Sequence, residues 1–220
     1  MSSHSKTQPP ARRVPRQERA ERRIRTILDS AEQIFVRDGY QKATMTAIAE
    51  LAATSIGSLY QYFPDKAAVA LALRKHYAEE MASRWSAIEQ SDSPEAVKEQ
   101  EREQEEAAPH SDSVEALVDA IIRLMTDFLD EHPAYLLLQE APLNYQRDPD
   151  ARLALRERLG ELLVQRRAAI QDNATLTATV MLQIVKSLIP LYRDADQTRR
   201  LQIIREYRLA LLSYLLPPNA

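Results

Sequence analysis

The chain has 220 residues, 45% hydrophobic and 28% charged, which is enough for one large domain or two smaller ones with a sizeable core. It has three glycines, Gly39, Gly57 and Gly160, and no cysteine. That excludes a glycine-rich nucleotide fold, a β-sandwich, disulfide frameworks, Cys-ligated zinc, iron–sulfur clusters and thiol catalysis. The net charge of −3 is unevenly spread: residues 1–66 carry +4 and residues 67–220 carry −7.

Residues 1–15 read as a basic, disordered arm. From Lys6 to Arg25 the cations Lys6, Arg12, Arg13, Arg16, Arg19, Arg22, Arg23 and Arg25 face only Glu18 and Glu21. A basic arm leading into a helix is the electrostatic footprint of a phosphate-backbone binder, although a solvated tail has the same composition. Residues 1–23 have no apolar core of the signal-peptide kind, and the apolar runs are short of the roughly 20 residues that span a bilayer. The expectation is a cytoplasmic protein without a membrane segment.

Ile24, Ile27, Leu28, Ala31, Ile34 and Phe35 recur at helical spacing, so Arg16–Asp38 is predicted as an amphipathic helix stopped by Gly39. Thr44 caps a short second helix carrying Ile48, Ala49 and Leu51, and Thr54 or Ser55 caps a third that runs to Phe63. Pro64 ends it, and Asp65 caps a long fourth helix containing Tyr77, Met81, Trp85 and Ile88. Residues 89–112 hold nine acidic side chains against Lys98 and Arg102 and read as a solvated spacer, helical or mobile. Five further helices are predicted at Ser113–Asp130, Pro133–Tyr145, Pro149–Gln171, Asn173–Tyr192 and Asp196–Leu216. The fold class is all-α: a helix-turn-helix domain at 16–66 and a larger helical domain at 67–220.

Two short helices joined by a tight turn form a helix-turn-helix when the second displays small polar residues outward, and Ala47–Phe63 fits. Ile48, Ala49 and Leu51 are expected beneath Leu59 and Phe63. Short side chains at Ser55, Gly57 and Ser58 allow close approach to a groove floor, and Tyr60 and Lys66 are long enough to reach phosphates. Ile56 is suited to a thymine methyl. Gln61 is either solvated or base-reading, and Tyr62 is shared between core and groove.

Phe35-Val-Arg-Asp-Gly-Tyr40, Thr44-Met-Thr-Ala-Ile-Ala49 and Ser55-Ile-Gly-Ser-Leu-Tyr-Gln-Tyr-Phe-Pro-Asp-Lys66 together resemble the DNA-binding domain of tetracycline-repressor (TetR) family regulators. The likeness covers about residues 20–70; beyond it only the helical layout is similar. It implies that Thr44 and Thr46 meet phosphates, that Ser55, Ile56, Gly57 and Ser58 enter the major groove, and that Tyr60 and Lys66 contact the backbone. It also implies that Arg12, Arg13 and Arg16 could reach a minor groove. The family's turn glycine is Ala53 here and the following valine is Thr54. If that turn requires positive φ, Ala53 costs about 1–2 kcal/mol.

The resemblance further implies a homodimer built on the last two helices, a double-stranded palindromic operator and a small-molecule effector. The apolar content of the last helix and of Thr177, Val180, Met181, Ile184, Val185, Leu188 and Ile189 on its neighbour points to the same dimer bundle. Trp85, Met125, Phe128, Tyr135, Leu138 and Met181 are candidate walls of a lipophilic pocket, with Gln139, Asn144 and Gln183 among its anchors. Against an enzyme, His4, His76, His110 and His132 have no metal-ligand spacing and no nucleophile elbow or phosphate loop occurs. No catalytic residue, metal or cofactor is expected. The reading is a ligand-responsive regulator, most simply a repressor; the alternatives are an activator or a DNA-associated protein controlled by a protein partner.

Overall fold

The computed structural model describes residues 16–91, 113–143 and 149–216. Regular structure among the described residues is entirely helical. In chain order the helices are α1 (Arg16–Lys42), α2 (Met45–Leu51), α3 (Ile56–Tyr62), α4 (Lys66–Ser91), α5 (Val114–Glu131), α6 (Ala134–Glu140), α7 (Pro149–Arg166), a 3-10 segment (Ala168–Asn173), α8 (Ala174–Arg193) and α9 (Gln197–Leu215). The chain divides into two compact units between Ala72 and Leu73, inside α4. The predicted acidic spacer begins inside α4, which runs on to Ser91; its residues 92–112, the arm with Arg12 and Arg13, and Asn144 lie outside the described residues.

In the first unit, Ile27, Ala31, Ile34 and Phe35 of α1 are fully buried, as are Ile48, Leu59 and Val69 from the other three helices. α1 is broken at Gly39, whose φ of 74° and ψ of 155° are open to glycine at little cost. The chain then makes one more turn, closed by the Ala43 amide on the Gly39 carbonyl at 3.1 Å. Four short polar side chains cap helices as their positions suggest. Thr44 accepts from the Ala47 amide, Asp65 from Ala68, Ser113 from Ala116 and Asp196 from Arg199.

Two helix ends depart from expectation. α6 stops at Glu140 instead of continuing to Tyr145, because Pro142 forces the preceding Ala141 into an extended conformation (φ −67°, ψ 142°). α7 stops at Arg166, where Arg167 turns extended (φ −150°, ψ 94°) and a 3-10 segment follows.

In the second unit, α8 lies against α7, α9 and α5, and α9 lies against α5. The stretch Ala168–Arg193 is long and apolar enough to cross a membrane by composition. Its Ala178, Met181, Val185 and Leu188 are instead buried in the helical core. Around α5 the rings pack closely: Phe128 meets Tyr135 edge-on at 5.2 Å and Tyr77 at 5.9 Å, and His132 lies 4.7 Å from Phe128.

A Cβ at position 39 would meet nothing within 4 Å, so substitution there tests the backbone alone. Gly39→Ala is expected to destabilise the protein by about 1–2 kcal/mol, read as a lower denaturation midpoint. An unchanged midpoint would show that the break in α1 is not held at positive φ.

Candidate nucleic-acid interface and effector groove

The turn between α2 and α3 is closed by backbone bonds from Ala53 to Glu50 (3.1 Å) and from Thr54 to Ala49 (3.0 Å). Ala53 takes a φ of 48°, the left-handed region that the sequence flagged as costly for alanine. Ser55, not Thr54, caps α3: its hydroxyl accepts from the Ser58 amide at 3.1 Å and donates to the Ser58 hydroxyl at 2.8 Å. α2 buries Met45, Ile48, Ala49 and Ala52, the i, i+3, i+4, i+7 stripe of an amphipathic helix. Leu51 was expected in that core and is instead exposed, because it sits about 100° around the helix from the centre of the stripe.

α3 buries Leu59, with Phe63 just after it, and turns Ser55, Ile56, Gly57, Tyr60 and Gln61 to solvent. Ser58 and Tyr62 are half-buried on its flank. A Cβ at Gly57 would meet nothing within 4 Å, so the domain's own packing does not require glycine there. Thr44 and Thr46 are exposed at the start of α2, with the Thr44 hydroxyl already serving the cap. Arg16 is the first residue of α1.

Lys66 has a different task from the phosphate contact expected of it. Its ammonium donates to the carbonyls of Tyr40 (2.7 Å), Gln41 (2.9 Å) and Ala43 (2.9 Å), which use all three of its protons, and it lies 4.8 Å from the Tyr40 ring centre. Burial, with a smaller effect from Asp65, raises the Tyr40 pKa above its ordinary value.

The candidate effector residues are dispersed. Phe128, Tyr135, Leu138 and Met181 are buried in the packed core, Met125 is half-buried, and Gln183 is exposed on α8. Gln139 accepts a hydrogen bond from Arg74 at 3.2 Å. Trp85 lines a groove of about 380 Å³ between α4 and α7. Its walls are Ala78, Met81, Trp85 and Leu155, with Arg152, Arg158 and Glu89 at polar positions. Arg158 lies 3.7 Å from Glu89, whereas Arg152 is exposed.

Glu80, Glu131 and His132 converge within 4.8 Å, close enough to suggest a cation site. Arg84 already supplies the positive charge there, pairing with Glu80 and Glu131 at 2.5 Å each. Burial opposes the charge on Glu80, but hydrogen bonds from His132 and Arg84 outweigh it and leave its pKa below the ordinary value.

Residues 27–73 match the model of bacterial regulatory proteins of the tetR family, and residues 112–215 match the tetracyclin repressor-like C-terminal domain. Together the matches take in most of the chain. The protein belongs to the TetR family. It is therefore a DNA-binding transcriptional regulator with an N-terminal helix-turn-helix. Over 61 residues it is 38% identical to the HTH-type transcriptional repressor Rv1474c of Mycobacterium tuberculosis, a match spanning 28% of this chain and 33% of that protein. A TetR-family regulator from Streptomyces coelicolor shares the fold with a TM-score of 0.54 at 23% identity, covering 88% of this chain and 97% of its own. So does the transcriptional regulator FadR from Bacillus subtilis in complex with stearoyl-CoA, with a TM-score of 0.55 at 16% identity over 87% and 97%.

Against the TetR pattern, the turn of this protein holds alanine in a left-handed conformation where glycine is usual. Ala53→Gly is expected to relieve that strain and raise stability by about 0.5–1 kcal/mol after the added entropy of glycine in the unfolded chain is subtracted. A chemical denaturation midpoint that falls on this substitution would refute the strain.

Proposed function

We propose that this TetR-family protein is a cytoplasmic repressor that binds a palindromic operator as a homodimer and is released by a small lipophilic effector. The observation that carries DNA reading is the outward face of α3. Ser55, Ile56, Gly57, Tyr60 and Gln61 stand above a closed apolar core, and Gly57 keeps open a space that its own domain does not fill. Ile56 then meets a thymine methyl and Gln61 a base edge, while Ser58 and Tyr62 border the groove. Tyr60 and the threonines at 44 and 46 serve phosphates, and Arg12, Arg13 and Arg16 extend towards a minor groove. Lys66 acts indirectly, by holding the end of α1.

Of the patch expected on α8, Thr177, Met181, Val185, Leu188 and Ile189 are buried in the chain's own core, and the homodimer is supported instead by a stripe on each of the last two helices. Leu176, Val180, Ile184 and Leu191 recur along one side of α8, and Leu201, Leu209 and Leu212 along one side of α9; Leu176, Leu201 and Leu209 are all more than 60% exposed. Two such pairs form a four-helix bundle that places recognition helices about 34–36 Å apart, one turn of B-DNA.

The groove beside Trp85 is the proposed effector site. Its apolar floor suits a hydrocarbon chain and exposed Arg152 suits an anionic end, the amphipathic chemistry that the stearoyl-CoA-bound FadR of similar fold accepts. Release requires tighter binding of the effector to the conformation that does not bind DNA, since equal affinity shifts nothing.

Fluorescence anisotropy on DNA from upstream of the gene, against scrambled DNA at two salt concentrations, tests the first half. Tight, selective binding that weakens steeply with salt is expected; no binding to either duplex at low salt would refute the regulator. Gly57→Ala separates fold from function, because it should stabilise the protein by about 0.5 kcal/mol while weakening operator binding. Weaker binding accompanied by lower stability would remove the close-approach reading. Trp85 is the single tryptophan, so its emission reports the groove directly. Decanoate or palmitate is expected to shift that emission and to lower anisotropy on the operator; an emission change that leaves DNA binding untouched would exclude the groove as the switch.

A further inference from the structure

We propose that Arg23, held against the helix-turn-helix by Thr54, is a phosphate-binding residue that fixes where the recognition helix begins in the groove. The inference rests on the DNA-binding reading and narrows it, singling out one residue and one place from the basic stretch that the sequence pattern marked only as a whole.

The argument begins on α1. Arg16, Arg19, Arg23 and Ile27 are spaced by three, four and four residues, so they share one side of the helix. Ile27 is fully buried, while Arg19 and Arg23 are exposed. The side of α1 that is core from Ile27 onwards is therefore cationic one turn earlier, where it runs past the edge of the domain. Arg23 marks that edge, because its guanidinium reaches across 31 residues to donate to the Thr54 hydroxyl at 3.4 Å.

Two features distinguish this arginine from a solvated one. The group that holds it is a neutral hydroxyl, so the hold leaves its charge uncompensated, and it uses one of five guanidinium N–H donors. The anchor is also the residue immediately before Ser55, which caps α3, and the Thr54 amide itself closes the turn on Ala49. A guanidinium tied to Thr54 thus moves with the first turn of the recognition helix. A phosphate bordering the groove at that point would receive a charge-assisted, forked hydrogen bond of the kind that favours arginine over lysine. Thr54 acts as the positioning residue.

The test uses the full-length protein, a duplex recovered by selection from a random-sequence library, and a scrambled duplex, with affinity followed from 50 to 300 mM salt. For Arg23→Ala, binding is expected to weaken about tenfold on both duplexes and the slope of log K against log salt to shrink by about one per protomer. Arg23→Lys should keep the slope and lose part of the affinity. Thr54→Val keeps the charge and removes the tether, so it should keep the slope while losing about twofold in affinity on the selected duplex and less on the scrambled one, the most that so long an exposed hydrogen bond can supply. Thermal melts of each variant establish that the fold is intact. Wild-type slope and affinity in Arg23→Ala would overturn the proposal while leaving the DNA reading standing. Failure of the wild-type protein to enrich or bind any duplex would overturn both. A Thr54→Val protein indistinguishable from wild type beside a weakened Arg23→Ala would overturn the positioning role of Thr54.

Discussion

The DNA-binding unit depends on one ammonium group. Where α1 breaks at Gly39, the regular helix ladder ends and its last carbonyls need partners. Lys66 collects those of Tyr40, Gln41 and Ala43 in a single three-proton grip. Because Lys66 is also the first residue of α4, the grip ties the end of α1 to the start of α4. α2 and α3 are the segment enclosed between those two points, so their placement follows from it. Hydrogen bonds from a charged donor to neutral acceptors are worth roughly 1.5–3 kcal/mol each before the entropy of ordering the side chain is subtracted. The cost of losing the donor would exceed the loss of one bond, since the partly buried acceptors of Tyr40 and Ala43 would need new partners.

The second unit is organised differently, by a closed aromatic core and a junction at the end of α5. Phe128 is buried among Tyr77, Tyr135 and His132, and the three residues that end α5 face different neighbours. Asp130 accepts from Arg200 of α9 at 2.7 Å and from the Tyr192 hydroxyl of α8 at 2.9 Å. Glu131 pairs with Arg84 of α4, and His132 meets Glu80 of the same helix at 3.1 Å. One turn of α5 therefore addresses α4 on one side and the two proposed dimer helices on the other. Partly exposed pairs of this kind contribute little stability individually. Their value is geometric: they specify one arrangement of helices whose apolar faces alone would tolerate several.

What was legible in the sequence was what depends on neighbours in the chain. A cap needs a short polar side chain within three residues of the amide that it serves, so Thr44, Asp65, Ser113 and Asp196 could be read directly. Gly39 and Pro64 punctuate helices by their own backbone geometry, and the positive φ at Ala53 follows from the turn. The displayed face of α3 was legible for the same reason, as its period separates Leu59 from Ile56, Gly57 and Tyr60. Leu51 was misplaced although its helix was found, because membership of a short helix does not fix the centre of its buried stripe. The partners of Lys66 lie 23 to 26 residues away and that of Arg23 lies 31 away. No local pattern encodes such contacts. The effector site was the least legible part. Large aromatic residues can line a cavity or fill it, and Phe128 and Tyr135 fill it while Trp85 lines a groove elsewhere on α4 and α7.

The two adjacent departures from the family pattern, Ala53 and Thr54, differ in what they do. Alanine in the left-handed region costs about 1–2 kcal/mol. The hydroxyl of Thr54 gives an exposed hydrogen bond at 3.4 Å, long enough to be worth at most about 0.5 kcal/mol. The second therefore does not offset the first, and the pair makes little sense as an exchange of stability. It makes sense as a division of labour at a site where local rules give way to function. The turn tolerates strain because the backbone bonds to Ala49 and Glu50 and the cap at Ser55 over-determine its shape. Thr54, freed from the apolar role of a valine, presents a hydroxyl to Arg23. What the departure supplies is a preferred position for a positive charge beside α3, and a charge biased towards one place favours one register on DNA over its neighbours.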